Sequence, residues 1–144
     1  MGKKRIVKKG EEGAAEGAAS SAPKAGGKRK LESGRLYVEA TYNNTKVSLT
    51  DDRGNLVAWS SAGSLGFNGA KKGTPFAAAK VGEILGERAA NFGVKQVSVV
   101  VSGVGAGRES SIRAFATKGI HINSIKDTTP VPHNGPRAPK PRRV

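Results

Sequence analysis

No stretch limits the fold more than Val99–Ser111, which reads Val-Val-Val-Ser-Gly-Val-Gly-Ala-Gly-Arg-Glu-Ser-Ser. Branched Cβ atoms pack well on a pleated surface, so the valines favour a strand. Three alternating glycines then end the strand, and Arg108-Glu109-Ser110-Ser111 start a helix with an acid in its first turn. A strand that turns directly into a helix is half of a crossover unit, which points to an α/β sheet. Glycines also let a backbone approach another surface closely, and a helix N-terminus carries unpaired N–H groups with a partial positive charge. The junction is therefore a candidate anion seat.

The flanking sequence supplies the other elements. Leu36, Val38 and Ala40 alternate with Tyr37, Glu39 and Thr41, so order begins near Arg35 with a strand buried on one face. Asn43-Asn44 makes a turn, Val47 and Leu49 mark a second strand, Asp51–Asn55 is a tight turn, and Leu56–Ser60 is a third strand. These form an antiparallel meander. Ser61–Thr74, with four glycines and the pair Lys71-Lys72, reads as a loop too long for mere connection. Thr74 caps and Pro75 opens a helix with Phe76, Val81, Ile84, Leu85, Ala89 and Phe92 on one face and Gly93 at its end. Gly82 and Gly86 inside it each cost about 1 kcal/mol against Ala, which implies close packing on a sheet.

Val94–Val101, almost unbroken in valine after Val97, reads as a central strand buried on both faces. The helix after the junction turns Ile112, Phe115 and Ala116 inward and ends at Gly119, and Ile120, Ile122 and Ile125 make a last strand. The order β-β-β-α-β-α-β predicts a single α/β domain over residues 35–128, with a mixed sheet covered by helices. Residues 1–34 hold hardly any large apolar side chains and read as a disordered extension. Residues 129–144, with five prolines in sixteen, read as an extended tail.

Charge indicates the partner. Of the net +14, residues 1–34 hold +5, residues 35–128 hold +5 and the last sixteen hold +4. Two basic ends on a folded middle suit a polyanion. No cysteine is present, so disulfides and thiolate metal sites are excluded, and a reducing compartment is suited. No apolar run approaches the roughly 18 residues of a membrane span, and Met1–Ile6 lacks the apolar core of a signal peptide. A soluble, cytoplasmic protein is expected, and the sequon Asn43-Asn44-Thr45 is a chance match.

Nucleotide chemistry fits poorly. No lysine follows the glycines as a phosphate-binding P-loop requires, and Gly-x-Gly-x-Gly is one residue short of the dinucleotide fingerprint. The sheet order invites comparison with ribonuclease H, whose chemistry needs clustered carboxylates and metals. Here Asp51 and Asp52 belong to a turn, Glu83 and Glu87 to an exposed helix face, and Glu109 to a first helical turn, and neither Glu39 nor Asp127 brings three acids together. His121 and His133 stand apart. No enzyme, metal or cofactor is expected. Trp59, Phe67 and Phe76 read as core or loop anchors, and scarce aromatics argue against base stacking. Arginine, lysine, backbone amides and proline favour recognition of a nucleic-acid backbone. A free chromatin-type protein with basic tails on DNA is the alternative.

Several stretches resemble the universal small-subunit ribosomal protein S-eleven family, of bacterial type. They are Ala40–Thr45, Trp59–Gly63 with Leu65-Gly66-Phe67, Gly107–Ser110, Asp127–Pro130, Pro132–Gly135 and Arg142-Arg143-Val144. The resemblance implies an α/β domain on the subunit platform that bridges helices of the small-subunit ribosomal RNA. It also implies a position by the Shine–Dalgarno cleft for messenger RNA, near ribosomal proteins S-seven and S-eighteen, with contact to initiation factor three.

The RNA-binding residues expected on these grounds are Asn43, Asn44, Lys71, Lys72, Gly103, Gly105, Gly107, Arg108, Ser110, Arg113, His133, Asn134, Gly135, Arg137, Lys140, Arg142 and Arg143. Arg108 and the amides of Gly103–Gly107 are expected to grip phosphates, Lys71 and Lys72 a second RNA segment, and His133–Arg143 to thread between helices. Val104 and Ala106 stand where the family usually has prolines, Pro136 where it usually has cysteine, and Ala70-Lys71-Lys72-Gly73 lacks the usual arginine. Asn134-Gly135 invites cyclisation to isoaspartate, which intact Asn134 in peptide maps of aged protein would reject.

Overall fold

The computed structural model describes residues 30–143; the extension expected over residues 1–34 lies outside it up to residue 29. The elements are β1 (Ser33–Ala40), β2 (Thr45–Thr50), β3 (Leu56–Ser61), a 3-10 turn (Gly69–Gly73), α1 (Pro75–Asn91), β4 (Gln96–Ser102), α2 (Gly107–Ala116) and β5 (His121–Asp127). The five strands form one sheet in the order β3-β2-β1-β4-β5. The β1–β2 and β2–β3 pairs are antiparallel, while β1–β4 and β4–β5 are parallel. A meander feeding crossover units is what the sequence periodicities predict. Order starts slightly before Arg35, because Leu31 N–H donates to Phe92 O at 3.0 Å and Lys95 N–H to Glu32 O at 3.0 Å.

The core lies between one face of the sheet and both helices. Leu36, Val38, Val47, Leu49, Val97, Val99 and Val101 meet Val81, Leu85, Ala89 and Phe115, all buried. The expectation that β4 is buried on both faces fails. Its burial alternates, with Ser98, Val100 and Ser102 only half-covered, because α1 and α2 pack side by side against the same face. The helical glycines serve that pairing and not the sheet. A Cβ at Gly82 would lie 3.1 Å from Ala114 Cβ, and one at Gly86 would lie 2.7 Å from Lys118 Cγ, so both sit against α2.

Other inward assignments also change. Thr74 caps α1 as expected, its hydroxyl accepting from Ala77 N–H at 3.3 Å. Ala77 and Ala78 take the inward positions of the first turn, which leaves Phe76 65% exposed, while Ile84 and Phe92 are half-buried. On α2, Ala114 and Ser111 are buried and Ala116 only half-buried. β5 is an edge strand, so Ile125 is exposed although its register partner Val99 is buried. The 61–74 loop is also more ordered than its glycines imply, since it ends in the 3-10 turn that delivers Lys71 and Lys72.

Candidate nucleic-acid interface

The carboxyl ends of β1, β4 and β5 lie side by side, with Glu39 opposite Ser102 and Val101 opposite Asp127. β3 ends there too, since Ala62 N–H donates to Thr45 O at 3.0 Å. Four connections therefore meet at one end of the sheet: the 41–44 turn, the 61–74 loop, the 103–106 junction and the start of the tail. In sheets of this kind, the carboxyl ends of the strands are the usual place for ligands.

The turn is built first. Thr41 N–H donates to Asn44 O at 2.9 Å, and the Thr41 hydroxyl accepts from Asn44 N–H at 3.1 Å. Glycines from two loops then press on it. A Cβ at Gly73 would overlap Tyr42 O, and one at Gly105 would overlap Thr41 O, both far inside 3.0 Å. Gly103, at φ +94°, sits against Ala40 O, and Gly107 against the Thr45 hydroxyl and Ala78. The three alternating glycines thus fit the junction to the protein's own backbone. Two of the amides expected to hold phosphate are used internally: Gly105 N–H donates to Ala40 O at 2.8 Å, and Gly103 N–H to the Thr129 hydroxyl at 3.2 Å. Among the described residues, the Val104, Ala106 and Gly107 amides have no acceptor, and they lie at or just before the N-terminus of α2.

Arg108 is not an open fork. Its Nη1 donates to Gly103 O and to the Thr129 hydroxyl, and its Nη2 donates to Asp127 Oδ2 at 2.5 Å. Three of the five N–H donors of a guanidinium are therefore used within the protein. Asp127 also accepts from the Thr129 hydroxyl at 2.6 Å and from Thr129 N–H at 2.9 Å. Those two bonds to Thr129, followed by Arg108, hold the Asp127 carboxyl well below the usual carboxylate range. The knot fastens the first tail residues to the junction, helped by Thr128 N–H donating to Val101 O at 2.8 Å.

The structure thus gathers Asn43, Asn44, Gly103, Gly105, Gly107 and Arg108, and brings Lys71 and Lys72 beside them through the contact of Gly73 with Tyr42. Lys71 is exposed and Lys72 half-buried. Ser110 is half-buried in the first turn of α2. Arg113 stands apart, exposed and paired with Glu109 at 2.5 Å one turn along the helix. His133, Asn134, Arg137, Lys140, Arg142 and Arg143 are exposed on a tail without regular structure, with Gly135 half-covered and Asn134 at φ +58°.

Asp127, Thr129 and Tyr42 belong to this end and were not expected there. Asp-x-Thr at the end of a strand is the signal of a side-chain-capped turn. An aromatic next to Asn-Asn, beyond the alternation of β1, marks a ring with no core to enter. Trp59 and Phe76, expected as anchors, are 48% and 65% exposed, and only Phe67 is half-buried as a loop anchor. Residues 34–143 match the family model described as Ribosomal protein S11.

Proposed function

The chain belongs to the ribosomal protein S11 family, and from that premise we propose that it sits on the platform of the small subunit and bridges several helices of its RNA. Membership makes it a non-enzymatic, RNA-binding structural constituent of the small ribosomal subunit that serves translation, with ribosomal RNA and ribosomal proteins as partners. The finer reading takes the bacterial type. It puts the protein in the cytoplasm beside the Shine–Dalgarno cleft for messenger RNA, next to ribosomal proteins S-seven and S-eighteen and within reach of initiation factor three.

One observation carries the reading: two helix N-termini, Lys71-Lys72 and the root of a basic, proline-rich tail converge on one end of the sheet. Phosphates are held by the N–H groups of Val104, Ala106 and Gly107 and by the two lysines. The tail reaches further segments through Arg137, Lys140, Arg142 and Arg143, and proline lowers the entropy lost when it is laid along a groove. Arg108 acts mainly by fixing where the tail begins and offers its two remaining N–H donors to RNA. Residues 35–128 form the binding domain and residues 129–144 its extended arm.

Co-sedimentation in a density gradient tests the reading. The protein is expected to migrate with small ribosomal subunits and to protect platform helices from chemical probing. Migration apart from the subunit, with equal affinity for duplex DNA, would instead favour a free chromatin-type protein.

A further inference from the structure

Tyr42 is the most exposed large apolar side chain of the domain, at 78%. Exposure of single apolar residues is ordinary, but the mounting of this one is not. The turn that carries it is closed by the Thr41–Asn44 bonds. It is also pinned from two sides by Gly73 on its own carbonyl and Gly105 on that of Thr41, neither of which could accept a Cβ. A ring on so fixed a base loses little freedom on binding. Among the described residues the Tyr42 ring has no aromatic or cation–π partner, whereas Phe76 packs edge-on to Phe67 at 6.1 Å and carries Lys80 at 5.9 Å from its centroid.

The surroundings select the occupant. The segments pressed against the turn, 61–74 and 103–107, contain Lys71 and Lys72 and no acid, while Arg108 just beyond them is paired with Asp127. A flat ring on the turn against which the lysine-bearing loop packs fits a nucleobase whose phosphates the lysines hold, and fits an apolar protein surface less well. We propose that Tyr42 is a base-stacking residue, taking the face of an unpaired base in the ribosomal RNA bound at this end of the sheet. The inference rests on the RNA-binding reading above and adds a contact to a base, where that reading has contacts to the backbone alone. The stack would fix the position of one unpaired nucleotide while the lysines and amides fix the chain around it.

The test compares the full-length protein with Tyr42→Ala and Tyr42→Phe, using small-subunit ribosomal RNA as the probe. Dissociation constants are measured at several salt concentrations, and thermal melting of each free protein is followed by circular dichroism. Stacking on one base predicts about tenfold weaker binding for Tyr42→Ala and binding within about twofold of the original for Tyr42→Phe. The salt slope is expected to be unchanged, because the ring neutralises no phosphate. Melting is expected to be unaltered, because the side chain is largely exposed. Unchanged RNA affinity in Tyr42→Ala would overturn the proposal, and it would do so most plainly if that variant lost a neighbouring ribosomal protein from the assembled subunit. Equal losses in Ala and Phe would also overturn it, since they would assign the contact to the hydroxyl. If the unaltered protein bound with no salt dependence, the backbone-binding reading would fall and the stacking proposal with it. Steep salt dependence shared by Tyr42→Ala at undiminished affinity would remove the stacking proposal alone.

Discussion

Gly105→Ala perturbs the junction at a position where the neighbours are backbone atoms and leave no room for a side chain. The φ of Gly105 is not in the left-handed region, so alanine suffers no intrinsic backbone strain and the effect is steric. An added Cβ would overlap Thr41 O and lie 2.8 Å from Thr41 C and 2.9 Å from Ala40 C, all of them backbone atoms that cannot swing aside. Relief requires the junction to move off the 41–44 turn, which breaks the 2.8 Å bond from Gly105 N–H to Ala40 O. Overpacking costs about 1–3 kcal/mol and the lost bond about 1 kcal/mol, for a total of about 2–4 kcal/mol. In a domain of about 100 residues that lowers Tm by about 10–20 °C. Gly63→Ala is the control, because its Cβ would make an ordinary 3.7 Å contact with Lys72 Cδ, and its effect is expected to stay within about 0.5 kcal/mol. Calorimetric melting of the two variants decides. A Gly105→Ala protein melting within about 3 °C of the original would refute the claim that the junction glycines are packing elements.

Three further outcomes follow. Thr45 is fully buried with its hydroxyl unpartnered among the described residues, so Thr45→Val should be neutral or stabilise by about 1 kcal/mol in denaturant melts; a loss above 1 kcal/mol would mean that the hydroxyl is bonded. The Asp127 carboxyl is held low by Thr129 and Arg108. Its contribution to anchoring the tail is therefore complete above the ordinary value of 3.8 and is lost only as pH falls below it. The Thr129 amide resonance should accordingly shift well below pH 3.8, and a midpoint at or above that value would contradict the knot. Arg108→Lys keeps the charge but not the planar fork, so it should free the start of the tail to proteases as fully as Arg108→Ala does; rescue by Lys would make Arg108 a phosphate contact first.

Much of the fold can be read from the sequence because it rests on local periodicity and punctuation. Alternation at Leu36-Val38-Ala40, the Thr74-Pro75 start and the Gly93 stop set element and order without reference to anything distant. What could not be read depends on tertiary coverage. The valines of β4 are compatible with burial on one face or two, and only the side-by-side packing of α1 and α2 decides it. Gly82 and Gly86 call for a close neighbour without identifying it. At the site, Gly103, Gly105 and Gly107 signal close approach whether the approaching surface is RNA or the protein's own β1–β2 turn. Arg108 looks available until the strand register brings Asp127 and Thr129 beside it, residues some twenty positions on. Tyr42 is not legible as a site residue in the sequence, because exposure is a property of the folded surface.

The central claim is that this end of the sheet, with the tail, grips small-subunit ribosomal RNA by its phosphates. The measurement that tests it most directly is affinity for that RNA across a salt series, for the unaltered protein and for Lys71→Ala/Lys72→Ala. If about eight phosphates are neutralised, the log–log slope is about −6, and loss of two lysines reduces its magnitude by about 1.4. A slope near zero, or one that the double variant leaves unchanged, would contradict the account.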